Sequence, residues 1–210
     1  VIAATGDVFS SGHNLKEITN ARENEDAGEA YFSSLFNLCS SLMQLIVKCK
    51  KPIIAEVNGV ATAAGCQLVA SCDLAISSDT STFATPGVNI GLFCSTPMVA
   101  LSRNVKKKDA MKMLLTGDMI DAKEAKRLSL INDLVPKEQL TESVNDLAKK
   151  IASKSLMTVK IGKEAFYKQS ELSLSDAYEY TSKIMTENTL KEDAKEGISS
   201  FLEKRKPTWR

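Results

Sequence analysis

The stretch Val57–Ser78, VNGVATAAGCQLVASCDLAISS, constrains the fold more than any other part of the chain. An apolar run ends in the turn dipeptide Asn58-Gly59. Small residues follow from Ala61 to Gly65, and an apolar segment with Gln67 near its start leads to Asp73 and a strand-like LAIS. Small residues ahead of a helical pattern describe a loop that something can approach closely, then a helix whose first N–H groups have no intrahelical partner. Such a start suits an oxygen that carries, or will carry, negative charge. No Lys-Ser/Thr follows Gly65, so this is not a phosphate-binding P-loop. Two readings fit the stretch by itself: a backbone anion site, and a buried βα turn in an α/β core.

The rest of the chain narrows the class. Its 210 residues suffice for one large domain, or a core with a smaller appendage. The formal net charge of +1 gives no argument for nucleic acid or a membrane surface as the main partner. Five cysteines (Cys39, Cys49, Cys66, Cys72, Cys94), with no C-x-x-C pair, favour reduced thiols over a disulfide framework. A single histidine, His13, argues against a zinc site built on imidazoles, and no metal is expected. No apolar run has the length of a membrane span and no targeting signal is seen. The chain opens inside a strand-like VIAAT without a methionine, which reads as a piece of a longer protein.

In chain order, residues 1–5 read as a buried strand, 6–14 as a loop, and 19–28 as a polar, mobile segment. From Glu29 to Cys49, apolar residues at Tyr31, Leu35, Leu38, Leu42, Leu45 and Ile46 predict an amphipathic helix ended by Lys50-Lys51-Pro52. Residues 53–57 and 74–77 read as strands flanking a helix over 66–72. Thr82–Gly91 reads as short strands and a turn. Helices follow with Pro97 in a first turn, over Lys106–Thr116, and after an Asp121 N-cap, with a short strand at Ile131–Val135. Beyond Pro136 everything is helical in pattern, broken near Ser153–Ser155 and Glu171–Ser173. The expected division is an alternating β/α core over 1–135 and a helical region over 136–210.

Two segments carry a family resemblance. Phe9-Ser10-Ser11-Gly12-His13-Asn14-Leu15-Lys16-Glu17 resembles the family loop F-x-x-G-x-D-L-K-E. Pro52 to Leu68, with Cys72-Asp73 beyond it, resembles P-x-I-A-x-V-N-G-x-A-x-G-G-G-x-E-L followed by C-D-x-x-x-A. With the C-terminal F-x-x-K-R-x-P at Phe201–Pro207, the matches run through essentially the whole chain in order. The chain thus resembles the enoyl-CoA hydratase/isomerase (crotonase) superfamily. That resemblance implies an α/β crotonase (ClpP-like) fold with repeated ββα units and a C-terminal helical trimerisation region. It also implies chemistry on acyl-CoA thioesters, in fatty-acid metabolism, through a backbone oxyanion hole. The donors map to the N–H groups of His13 and Ala64, with Gly65 beside them. Losing one such donor costs about 2.7–4 kcal/mol in other enzymes. For the His13 side chain two readings stay open, a proton shuttle and a residue of which only the N–H matters.

The departures from the family pattern matter as much as the matches. Hydratases position water with two glutamates, and the resemblance aligns these with Gln67 and Gly87. An amide is no base near neutral pH, and glycine supplies no side chain. Ser95 stands where the family's dienoyl-CoA isomerases carry an aspartate. Classical hydratase activity is therefore not expected, and a non-catalytic acyl-CoA-binding or regulatory protein is the alternative to an enzyme. Thr62, Cys66, Asn89, Cys94 and Ser95 are further candidates for polar contact, while Asp73 reads as structural. The resemblance assigns CoA contacts to Asn14, Lys16, Phe201 and Lys204, with CoA thioester as ligand and no prosthetic group. It implies a homotrimer or hexamer, without nucleic acid or a membrane span, in the mitochondrial matrix of a eukaryote or otherwise the cytoplasm.

Overall fold

The computed structural model describes residues 1–209. The chain packs as two compact units: Val1–Val47 with Ile53–Asn145, and Lys48–Pro52 with the chain from Asp146 onward. The change of character at Pro136 falls inside the first.

In the first unit, strands β1 to β6 alternate between two sheets. One holds β1 (Ile2–Ala3), β3 (Ile54–Val57), β5 (Leu74–Ser78) and β8 (Asp133–Val135), in that order and all parallel. The other holds β2 (Val8–Ser10), β4 (Val60–Thr62), β6 (Thr82–Ala84) and β7 (Ile120–Asp121), parallel except for the β6–β7 pair. Each ββ step, β1–β2, β3–β4 and β5–β6, thus puts one strand in each sheet and feeds a helical segment. These are α1 (Leu15–Ala21) and α2 (Glu29–Lys48), then α3 (Ala64–Ser71), then a 3₁₀ turn (Pro86–Ile90), α4 (Pro97–Asn104) and α5 (Lys107–Thr116). Parallel strands bury both faces, which is why Ala55, Val57, Ala61, Phe83 and Ala84 are fully buried and the strands read as apolar runs. Asp73 knits β3 to β5: its Oδ2 accepts from the Ile53 N–H at 2.6 Å and its own N–H donates to the Ile53 carbonyl at 3.0 Å. Asp121 caps α6 (Ala122–Arg127) as expected, its Oδ1 accepting from the Glu124 N–H at 2.8 Å.

Three local readings change. The loop over 6–14 contains β2, and the small-residue stretch after Asn58-Gly59 contains β4; strands of three residues are too short for alternation to show. The polar segment before α2 forms turns, with Asp26 accepting from the Gly28 and Ala30 N–H groups. On α2 the chosen stripe is only partly the inward face. Ile46 is buried as expected, but Leu38 and Leu45 are 71% and 65% exposed, and Cys39 and Met43, outside the stripe, complete the buried face. Apolar residues lie on several faces of this helix, so periodicity alone misassigns the buried one. The same composition makes α2 the one described helix long and apolar enough to cross a membrane; its Cys39–Met43–Ile46 face belongs to the core.

α7 (Leu140–Ala152) begins in the first unit, where Leu140 and Val144 are buried. The second unit holds α8 (Leu156–Gln169), α9 (Leu174–Thr189) and α10 (Glu192–Leu202). The two expected breaks fall where the sequence places them, because Ser155 and Ser173 cap α8 and α9 by accepting from the Thr158 and Asp176 N–H groups; a further break at Leu190–Lys191, between α9 and α10, has no counterpart in the sequence reading. Ser155 also donates to the buried Asp193 carboxylate at 2.5 Å, tying α8 to α10. The tail returns onto this unit: Arg205 forks onto Glu196, and Trp209 Nε1 donates to the Ser153 carbonyl at 2.8 Å.

Candidate functional site

The two loops singled out in the sequence meet. A Cβ on Gly12 would lie 3.1 Å from the Ala64 backbone nitrogen and 3.1 Å from the Ala63 methyl. Gly12 has φ +89°, a conformation other residues rarely adopt, so both its shape and its closeness to Ala64 require glycine. One residue on, a Cβ at Gly65 would collide with the Ser10 carbonyl oxygen. The start of α3 therefore lies directly on the β2 loop, with Ser10–His13 beside Ala63–Gly65.

Ala64 is the first residue of α3, and no side chain caps that helix. Neither the Ala64 nor the His13 N–H donates to a protein acceptor among the described residues. An uncapped helix start concentrates partial positive charge on such groups. The residue before, Ala63, has φ 51° and ψ −119°, and its own N–H donates to the Ala84 carbonyl at 3.0 Å, continuing the β4–β6 ladder. Non-glycine residues held in sparsely populated backbone regions cost about 1–3 kcal/mol. The surroundings fix this turn, and the turn aims the backbone from β4 into α3.

α2 lies against both loops. The His13 ring meets Phe36 edge-on, centroids 5.6 Å apart at 86°. Burial lowers the His13 pKa from its ordinary value, so the imidazole is neutral at pH 7. One helical turn on, Cys39 Sγ lies 3.8 Å from Gln67 Oε1. Gln67 is only 4% exposed and sits one turn into α3. Sequence reasoning missed Phe36, Cys39 and Ala63. The i, i+3 spacing of Phe36 and Cys39 was the available signal, obscured by the more regular leucine stripe beside it.

The second glutamate position is closed. Gly87 lies in the 3₁₀ turn, and a Cβ there would collide with the Leu92 carbonyl oxygen and lie 2.9 Å from Cys94 Sγ. The Gly87 N–H points to that sulfur, 3.4 Å away. Burial raises the thiol pKa at Cys94 and Cys39, and pushes Cys66 up to about 12, so these cysteines are protonated and not nucleophiles at neutral pH. Ser95 is exposed and bonds only locally, to the Phe93 carbonyl at 3.4 Å. Among the described residues no cluster of His, Cys, Asp and Glu is built to hold a metal.

The residues expected at CoA divide between the units. Asn14 caps α1: its Oδ1 accepts from the Lys16 N–H at 3.0 Å and its Nδ2 donates to Glu17 at 2.9 Å. That cap sets the direction in which α1, and exposed Lys16 with it, leaves the His13 loop. Phe201 and Lys204 lie in the second unit. Phe201 is 82% exposed on α10. Lys204, at φ 57°, ends that helix in a Schellman turn, with Lys204 N–H to the Phe201 carbonyl at 3.2 Å and Arg205 N–H to the Ser200 carbonyl at 2.9 Å. Glycine is the usual residue at that position.

Comparison with known proteins gives one answer throughout. The family model described as enoyl-CoA hydratase/isomerase matches residues 1–210. The protein of Xenopus laevis named "Enoyl-CoA hydratase domain-containing protein 3, mitochondrial" is 53% identical over 209 residues, which is all of this chain and 69% of that protein. Its Rattus norvegicus namesake is 54% identical, over 100% of this chain and 68% of its own. The crystal structure of human enoyl Coenzyme A hydratase domain-containing protein 3 superposes with a TM-score of 0.93 at 52% identity, covering 99% of this chain and 80% of that one. An enoyl-CoA hydratase structure from Mycobacterium smegmatis superposes equally well, TM-score 0.93, at 44% identity, covering 99% and 79%. The alternating two-sheet ββα architecture is the crotonase fold, and the chain belongs to the enoyl-CoA hydratase/isomerase family.

Proposed function

We propose that this protein binds acyl-CoA thioesters, receives the thioester oxygen on the N–H groups of His13 and Ala64, and does not hydrate enoyl-CoA by the two-glutamate route. The observation that carries this reading is the contrast between the two halves of the site. The backbone donors lie on loops in direct contact, while the acid/base positions hold a buried amide and a glycine without room for a side chain. Hydration needs a positioned water and a group that moves its protons. Gln67 and Gly87 supply no such group, and the neighbouring thiols are protonated.

Charge that develops on a thioester oxygen is stabilised by two preorganised N–H donors, one of them, Ala64, at an uncapped helix start. This supports enolate-type chemistry on a bound acyl-CoA. The missing carboxylates at Gln67, Gly87 and Ser95 favour the second reading, a non-catalytic acyl-CoA-binding protein. In both readings Asn14 and Lys16 flank the CoA path in the first unit, and Phe201 and Lys204 contact CoA from α10. The exposed apolar residues Leu174, Tyr178, Met185, Leu190 and Phe201 support assembly into a trimer or hexamer. The names of the frog and rat relatives support a mitochondrial setting in a eukaryote.

The test uses crotonyl-CoA. Calorimetry is expected to show binding, while a spectrophotometric hydration assay shows no turnover above background. Turnover at the rate of ordinary hydratases would overturn the reading of Gln67 and Gly87, and absence of binding would overturn the acyl-CoA assignment. The double variant Gln67→Glu with Gly87→Glu is expected to stay inactive, because the second side chain cannot enter without displacing Leu92 and Cys94.

A further inference from the structure

The buried amide at Gln67 has one end occupied and the other free. Oε1 lies on the Cys39 thiol, which burial keeps in its S–H form and so able to donate. The main-chain carbonyl of Gln67 is taken separately by the Ser71 hydroxyl at 2.8 Å. Nε2 donates to no protein acceptor among the described residues. It is also not among the polar side-chain atoms sealed from solvent without a partner, which are Thr85 Oγ1 and Asn188 Oδ1 among the described residues. The NH₂ end of this side chain, only 4% exposed, therefore keeps a small accessible surface and has no protein acceptor among the described residues. A nearly buried donor left unpaired costs about 1–3 kcal/mol, so a ligand that offers an acceptor there gains by pairing it.

The polarity of the whole site points the same way. His13 and Ala64 offer N–H groups, Gln67 offers N–H₂, and Gly87, aligned with the second family glutamate, offers no acceptor side chain. A glutamate at position 67 would present an acceptor to a water; this amide presents a donor to an oxygen. We infer that Gln67 is the specificity-determining residue of this site, donating from Nε2 to a second oxygen on the acyl chain, and that the preferred ligand class is 3-oxoacyl-CoA. This rests on the acyl-CoA reading above, which brings the acyl β-carbon to the position aligned with the first family glutamate. A 3-oxoacyl thioester places one carbonyl at the backbone donors and the other two carbons along, at Gln67. A neutral carbonyl fits better than a carboxylate, because the amide brings no counter-charge for a buried anion.

The test is calorimetry with four thioesters, acetoacetyl-, butyryl-, crotonyl- and malonyl-CoA, on the full chain and on Gln67→Met, which keeps length and volume but removes the donor. Acetoacetyl-CoA is expected to bind about tenfold more tightly than butyryl- or crotonyl-CoA, equivalent to about 1.4 kcal/mol. In Gln67→Met that preference falls to about one. Three results overturn the inference while acyl-CoA binding stands: less than twofold selectivity in the unsubstituted chain, retention of the preference by Gln67→Met, or malonyl-CoA as the tightest ligand. If none of the four binds, the acyl-CoA reading itself falls, and the inference with it. The selectivity ratio of the unsubstituted chain decides the matter even if the variant folds poorly.

Discussion

The Ser10–His13/Ala63–Gln67 loop pair of the first unit and the end of α10 in the second build their candidate contacts by opposite means. In the loop pair the proposed contacts are backbone groups. Gly12 and Gly65 touch the opposite loop with no space for a side chain, and the proposed donors are main-chain N–H groups. At the end of α10 the proposed contacts are side chains, with Phe201 82% exposed and Lys204 on a surface turn. Each region nonetheless holds one non-glycine residue at positive φ, Ala63 at 51° and Lys204 at 57°. The β4–β6 ladder holds the first in place; the Schellman hydrogen bonds hold the second. A backbone site keeps its N–H whatever the side chain, so Ala64 in place of the glycine of the family pattern retains the proposed donor, whereas a side-chain site depends on identity.

The comparison breaks most sharply at Gly65. In Gly65→Ala the new methyl would enter the Ser10 carbonyl, a clash with backbone that no rotamer relieves. The expected loss is about 3 kcal/mol or more, read as a fall in Tm of about 6–12 °C for a chain of this size. A Tm within about 2 °C of the parent would mean that the loops are not in contact. The second unit has its own pin in Asp193, buried against Ser155. Asp193→Ala is expected to cost about 1–3 kcal/mol in a urea titration by stranding that hydroxyl. Cooperative unfolding of both units together would show the loss in every spectroscopic probe; independent units would confine it to one phase.

How far these features were legible in sequence follows from where the information lies. The apolar parallel strands β3 and β5, the Asp121 cap and the serine breaks before α8 and α9 each have a local signal. So do the two loop motifs, because close backbone approach demands small residues at fixed places. Apart from Ile46, the α2 face could not be read this way, since leucines on the exposed side form a better stripe than Cys39 and Met43 on the buried side. Gly87 marks the other limit. Its lack of a carboxylate is plain in the sequence, but the closure of the space by Leu92 and Cys94 depends on a turn that folds five to seven residues back on itself. The free end of the Gln67 amide depends likewise on Cys39, twenty-eight positions away.

The two positive-φ residues give a finer contrast. Ala63→Gly and Lys204→Gly each relieve a left-handed backbone that L side chains resist, so each is expected to raise stability by up to about 1 kcal/mol. Their effects on ligand should differ. Ala63→Gly leaves the donors in place, and acyl-CoA affinity stays within about twofold of the parent, well inside one factor of ten per 1.4 kcal/mol. Lys204→Gly removes a proposed phosphate partner, and affinity falls by about tenfold at low salt and less at high salt. A Lys204→Gly protein that is more stable and binds CoA thioesters unchanged would make Lys204 a cap residue only.

The smallest effect tests whether the one histidine works through its ring or its backbone. Burial against Phe36 lowers the folded-state pKa of His13 from about 6.5. The unfolded chain then binds this proton more readily than the folded one. Stability is therefore full above about pH 6.5 and declines as pH falls through the folded-state value. The carboxylates whose pKa values are lowered by their partners, such as Asp26 and Asp133, lose their contribution only below their ordinary values near 4. The interval from about pH 5 to 6.5 thus isolates the single histidine of the chain. His13→Gln keeps the main-chain N–H and removes the titration. Urea unfolding between pH 7 and 5 should give a flatter stability profile in the variant, and calorimetry at pH 7 should give unchanged acyl-CoA affinity. An unchanged pH slope would mean that the ring is solvated in the folded state. A lost affinity with the slope flattened would move His13 from the backbone class to the side-chain class, and the loop pair would then resemble the α10 end more than it contrasts with it.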